Sequence, residues 1–162
     1  MYSVNPKNDA LDDVPASFVP MAAIEPDYAN AIHPESRPWG SIKKGFTHFA
    51  DGDIVFSKIS PCFENGKYFL AQGLMNGIGA GTTELFVLRP FGSIHLDRRF
   101  VFSYLGSRTF VSGATRTFMG TVGQQRVKRG YVEESFVPIP PLEEQFRIAN
   151  AVSAYVASFQ ID

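Results

Sequence analysis

Short apolar stretches broken by turn residues fill the first part of the chain, and they predict strands rather than helices. Pro, Asn and Asp crowd residues 5–15, which read as loop. Ser17 to Ile24 reads as a short apolar strand bounded by proline, and Tyr28 to Gly40, interrupted by Pro34 and Pro38, as loop. Asp51-Gly52-Asp53 is a turn signal, followed by a strand over Ile54 to Ile59 rich in branched and aromatic residues. Asn65-Gly66 signals a hairpin, with Tyr68 to Ala71 as the returning strand. Gly73 to Gly81 reads as a glycine-rich loop and Glu84 to Leu88 as a strand closed by Pro90.

From Asp97 to Phe118 two periodicities compete. Phe100, Phe102 and Tyr104 alternate as in a strand, and local propensity leans that way. Asp97 can equally cap a helix with Phe100, Val101, Tyr104 and Leu105 on its apolar face, and Ser107 a second helix through Val111 and Ala114. Val122 to Val127 and Ser135 to Val137 read as strand or extended loop. The C-terminal signal is plainer. Pro140 and Pro141 precede Leu142, and Glu143 and Glu144 bring negative charge to the first turn of a helix. Leu142, Ala149 and Val156 recur every seven residues, Val152 and Phe159 take the second apolar position, and Gln145 is the polar exception. This outlines a coiled-coil seam. Over fewer than three heptads the same spacing also describes an amphipathic helix packed on its own domain. The pattern gives one domain over residues 1–137 and a helix, 138–162, that leaves it.

At 162 residues and 44% hydrophobic content the chain can bury a core. No apolar run approaches the roughly 18 residues of a membrane helix, and Met1 to Asp13 lacks the layout of a secretory signal. Cys62 is the sole cysteine, so no internal disulfide can form and a cytoplasmic location fits. The net charge of -1 argues against a nucleic-acid partner until its distribution is read. Residues 1–35 are net -5, residues 36–132 net +8, and residues 133–162 net -4. A basic block between acidic flanks suits a phosphate-binding face, with an ordinary solvated surface as the alternative.

Five segments resemble the specificity subunits of type I restriction-modification systems. They are Phe18-Val-Pro-Met21, the stretch from Gly45 to Lys67, Gly79 to Pro90, Gly120-Thr-Val-Gly-Gln-Gln-Arg-Val127, and Pro138-Ile-Pro-Pro-Leu-Glu-Glu-Gln-Phe-Arg-Ile148. The second and the fifth are the most specific. The resemblance implies an α+β target recognition domain with a curved, mostly antiparallel sheet and short helices, followed by the start of a coiled-coil-type spacer helix. It also favours two short helices for Asp97 to Phe118. It implies a non-catalytic reader of double-stranded DNA that positions an adenine methyltransferase (modification) subunit and a restriction subunit on a split target. S-adenosylmethionine, ATP and Mg would then belong to those partner subunits and no cofactor to this chain. Against the full pattern the chain has one recognition domain rather than two, its last helix stops at Asp162, and it lacks a legible opening strand. Those departures suit a gene fragment, an excised domain or a half-subunit, which could pair through its helix as a homodimer. They also admit an interaction module that binds modification subunits without reading DNA.

Bases are read by bidentate donors and acceptors, and phosphates are held by cations. Lys43 and Lys44 lie in a flexible basic stretch, Lys58 in an apolar strand, and Lys67 just after the Asn65-Gly66 turn. Gln124, Gln125 and Arg126 form the most attractive polar set for base edges, with Lys128 and Arg129 behind them to hold the backbone. Because that segment matches a motif common to many such domains, a structural or phosphate-binding role competes with base reading. Arg98, Arg99, Arg108 and Arg116 would line the same face. Gly77 to Thr83 superficially resembles a phosphate-cradling loop, but lacks its spacing and lysine and precedes a strand. Cys62 between Pro61 and Phe63 suggests a buried, inert thiol, and His33, His48 and His95 have no metal-ligand spacing. Asp51 and Asp53 mimic a carboxylate pair, yet the intervening Gly52 favours a turn.

Overall fold

The computed structural model describes residues 2–91 and 96–158, so Phe159 of the expected seam and His95 lie outside it. The chain divides between Gly92 and Ser93 into two units. The first holds β1 (Tyr2–Val4), β2 (Pro15–Val19), β3 (Glu35–Pro38), α1 (Trp39–Ile42), β4 (Thr47–Ala50), β5 (Ile54–Ser57), β6 (Tyr68–Leu70), β7 (Ile78–Gly81) and β8 (Leu85–Pro90). The strands form two four-stranded sheets, ordered β1-β8-β5-β6 and β3-β2-β7-β4. All pairings are antiparallel except β2 with β7, which is parallel. The single sheet expected from the resemblance is therefore two.

Alternation along the strands explains the layering. Val19 and Phe49 from one sheet join Val55, Phe69, Leu85 and Val87 from the other in one buried cluster. The Phe49 and Phe69 rings meet edge to face at 5.5 Å. Ala16 and Phe18, on the opposite face of β2, pack with Ala80 under Trp39 and Ile42 of α1. Strand β5 is buried on both faces, which is why its sequence is a continuous apolar run. Its Phe56 stacks on Tyr68 at 5.2 Å and lies 5.6 Å from Phe86.

Several segments differ from their sequence reading. The glycine-rich stretch before Gly81 is not simply loop, because its last four residues are β7, hydrogen-bonded to β2 and β4. A Cβ on Gly79 would sit 2.4 Å from the Phe49 ring and 2.7 Å from the Ser17 carbonyl. These glycines admit a phenylalanine over a central strand, which is a packing role. The expected loop to Gly40 ends in β3 and α1, and an opening strand, β1, does pair with β8. Asn65-Gly66 does not close a two-residue hairpin. It ends a longer loop whose turns are held by Phe63 N–H to the Ile59 carbonyl and Asn65 N–H to the Pro61 carbonyl, both 2.9 Å.

The chain passes from one sheet to the other at Asp51-Gly52-Asp53, between β4 and β5. Asp53 is 1% exposed. Its carboxylate accepts the Ala50 N–H at 2.7 Å and a two-pronged pair from Arg89 of β8, Nε at 2.9 Å and Nη2 at 2.7 Å. The same Nη2 donates to Asn8 Oδ1 at 2.7 Å, and Asn8 donates to the Phe49 carbonyl at 2.7 Å. Hydrogen bonding to Asp53 raises the Arg89 pKa further, so the guanidinium stays charged. The Asp51 carboxylate accepts the Leu74 N–H at 3.0 Å. Nearby, burial lowers the His48 pKa. The neutral ring is matched by its partners, with Nε2 2.9 Å from the Lys43 carbonyl and Nδ1 accepting the Asn8 N–H at 3.2 Å.

The second unit contains α2 (Arg98–Leu105), α3 (Arg108–Thr115), α4 (Arg129–Glu134) and α5 (Leu142–Ser158). Capping decides the ambiguous stretch. The Asp97 carboxylate accepts the Arg99 N–H at 2.7 Å, and the Ser107 hydroxyl accepts the Phe110 N–H at 3.3 Å. Burial pushes the Asp97 carboxyl up, but hydrogen bonds and charge from Arg99 outweigh it and leave the group below the usual carboxylate range. Among the described residues of this unit, Phe100, Val101, Leu105, Phe110, Ala114, Val127, Val132 and Ala149 are buried.

Asp53→Ala would strand the Arg89 guanidinium, whose side chain is 28% exposed. Discounted for that exposure, the expected loss is about 2–4 kcal/mol in urea unfolding, against a near-neutral Lys44→Ala control at an exposed site.

Candidate nucleic-acid interface

The candidate cations of the first unit are mostly engaged within it. Lys43 pairs with the Asp12 carboxylate. Lys58 follows β5 rather than lying in it, and its ammonium sits 5.6 Å from the centre of the Phe86 ring. Lys67 does not project from a turn, since its Nζ donates to the Met21 carbonyl at 2.9 Å. Lys44 is exposed. Arg37, not singled out from sequence, lies 4.0 Å over the Phe18 ring and donates to Glu35.

The second unit gathers its candidates around one hairpin. Met119 and Arg126 exchange both backbone hydrogen bonds, at 3.1 and 3.0 Å. Gln124 N–H donates to the Thr121 carbonyl at 2.9 Å across the tip, where Gly123 takes φ +84°. At the base, Lys128 N–H donates to Thr117 Oγ1 at 3.3 Å. Val122 at the tip is 95% exposed. Gln124 is also exposed, Gln125 and Arg126 are half-buried, and Val127 is buried. Arg126 Nη1 folds back onto the Gln124 carbonyl at 2.9 Å. Exposed Arg116 closes α3, and exposed Lys128 and Arg129 open α4, so cations lie before and after the hairpin along the chain. Arg129 Nε donates to Glu133 at 2.7 Å, an exposed pair of small energetic weight. The shared sequence motif thus divides into an anchoring part, Val127 and Arg126, and an outward part, Val122 and Gln124.

Helix α5 also splits along its length. Gln145, the polar exception of the heptad, is 1% exposed. Its Oε1 accepts the Asp97 N–H and its Nε2 donates to the Pro140 carbonyl, both at 2.9 Å. Ala149 is fully buried, and Arg99 donates to Asn150 Oδ1 at 3.0 Å. The first turns of the helix are therefore packed against α2 within their own unit, rather than leaving it. Leu142 at the start of the helix is 39% exposed, and farther along Val152 is 38% and Tyr155 67% exposed while Val156 is half-buried. An apolar groove of about 630 Å³ lies alongside, lined by Phe100, Tyr104, Ile139, Ile148 and Val152 among others.

Cys62 is half-exposed rather than buried. Among the described residues no group of three or more His, Cys, Asp or Glu side chains is arranged to hold a metal ion, and no helix is long and apolar enough to cross a membrane.

Residues 6–162 match the family described as the type I restriction modification DNA specificity domain. The chain belongs to this family. It is 44% identical over 146 residues to the specificity subunit of the type I restriction enzyme EcoAI of Escherichia coli, and 43% identical over 152 residues to that of EcoEI from the same organism. These matches cover 90% and 93% of this chain but 25% of each relative, so the chain spans about a quarter of their length. Among solved structures, a chain from a type I R-M system studied for complex assembly and conformational transition aligns with a TM-score of 0.72. The HsdS subunit from Thermoanaerobacter tengcongensis aligns at 0.69. Both are 20% identical and cover 92% of this chain and 37% of theirs, a likeness of fold. The α+β reading and the family resemblance of the sequence therefore hold.

In this specificity domain, sequence reasoning undervalued two positions. Gln145 was a lapse in a seam, yet its amide ties the proline-rich junction to the start of α2. Val122, in a stretch read as strand or extended loop, reads as buried, yet it is 95% exposed. Replacing Gln145 by Ala leaves two backbone groups without their partner, with an expected cost of about 2–4 kcal/mol in chemical unfolding. Glu144→Ala, which removes an exposed pair with Arg147, is expected to leave the unfolding midpoint almost unchanged.

Proposed function

We propose that this specificity domain reads part of a double-stranded DNA target and holds a modification (adenine methyltransferase) subunit and a restriction subunit on it. The observation that carries this reading is the family match across residues 6–162. The basic middle of the sequence and the cation-flanked hairpin of the second unit support it. Such a domain works by division of labour: cations anchor phosphates, and side chains on loops contact base edges. It is not itself an enzyme. S-adenosylmethionine, ATP and Mg are needed where methyl transfer and cleavage occur, in the partner subunits, and a cytoplasmic location follows from that work. Functionally, residues 1–137 form the reading part and residues 138–162 begin the spacer, even though the packing boundary falls at Gly92.

A second reading rests on the apolar surface of α5 and its lead-in, where Ile139, Leu142, Phe146, Val152 and Tyr155 are all exposed. It is that of an interaction module that binds modification subunits, or a second copy of itself, without reading DNA.

Fluorescence anisotropy with labelled duplex separates the two. Reading predicts binding that weakens about 100-fold between 50 and 200 mM salt if roughly four phosphates are contacted. Replacing both Arg116 and Lys128 by Ala is expected to lower the log–log salt slope by about 2. No binding at low salt, alone or with modification subunits, would leave the interaction module.

A further inference from the structure

We infer that the hairpin closed by Met119 and Arg126 enters a DNA groove at an A·T pair, with Val122 against the thymine methyl group and Gln124 on the adenine edge. This deepens the reading above and rests on it. Single exposed apolar side chains are ordinary on protein surfaces, so the exposure of Val122 alone decides nothing. Its setting decides more. The stem is fixed by the paired backbone bonds of Met119 and Arg126 and by the Lys128–Thr117 bond below them. The tip is fixed by the Gln124–Thr121 bond, with Gly123 supplying the left-handed backbone of the turn. A narrow, turn-closed loop of this kind, held by one bridged pair at its stem, can enter the major groove, which is about 12 Å wide. Arg116 and Lys128, the residues just before and after the hairpin, are exposed and can meet the flanking phosphates, whereas Arg129 is paired with Glu133.

The chemistry at the tip then selects the base pair. Valine offers only methyl groups, and thymine alone among the bases presents a methyl group in the major groove. Glutamine is the natural two-point partner of adenine. Arginine would call for guanine, but Arg126 is folded back onto the Gln124 carbonyl and serves the hairpin instead. Gln125 is half-buried where Gln124 is exposed, so Gln124 is the base reader and Arg126 a positioning residue.

The test uses a duplex carrying whatever sequence the wild-type chain enriches from a random pool with modification subunits present. Each thymine is replaced in turn by deoxyuridine, which lacks only the methyl group. The expected result is a loss of about 3- to 10-fold in affinity at one position, absent in Val122→Ser. At the same pair, Gln124→Ala should lose about 10-fold or more in discrimination. Both substitutions are at exposed sites, so an unchanged unfolding midpoint shows that the fold is intact. If wild type binds its sequence selectively but deoxyuridine is neutral everywhere and both variants behave as wild type, the hairpin is not the reader while the reading itself stands. If the variants keep DNA affinity and lose the modification subunit, the tip is a protein contact and the inference is overturned. If wild type enriches no sequence, the reading falls first.

Discussion

Where the chain crosses between its two sheets it buries a carboxylate and must neutralise it. A lone Asp53 at that depth would cost several kcal/mol. Arg89 answers from the far strand with two parallel hydrogen bonds, and the Ala50 amide closes the turn from within. Because Arg89 also holds Asn8, and Asn8 holds Phe49 and His48, one ion pair fastens the N-terminal segment, the β4–β5 turn and strand β8 together. Geometry of this kind restricts where the sheets can sit.

The second unit is organised around a different polar anchor. Gln145 spends both halves of its amide on backbone groups, one before α2 and one in the proline-rich junction. Ala149, one turn on, is buried in its own unit, while Leu142, Phe146, Val152 and Tyr155 leave exposed apolar positions along the whole length of α5. The chain spans about a quarter of the length of its Escherichia coli relatives.

Strands built from local apolar runs, β5, β6 and β8, were legible in the sequence, as was the C-terminal helix with its proline and acidic start. Strand β7 was not, because its glycines answer to Phe49, a partner some thirty residues away that no local pattern reveals. Helices α2 and α3 hid behind aromatic alternation. Asp97 and Ser107 hinted at them, and the caps they make tipped the balance. Side-chain partners were harder still. Lys43, Lys58 and Lys67 look like free cations in sequence, and folding gives them a carboxylate, a ring and a carbonyl respectively. The polar Gln124-Gln125-Arg126 motif was visible as a unit, but only folding separates the outward Gln124 from the inward Arg126.

The account stands on the claim that this chain discriminates among DNA sequences. Deep sequencing of duplexes retained from a randomised library, with the chain and modification subunits together, measures that discrimination directly. The account predicts one enriched pattern of a few fixed base pairs, including an A·T pair. A retained pool as random as the starting library, at a salt concentration where the complex binds duplex, would contradict it.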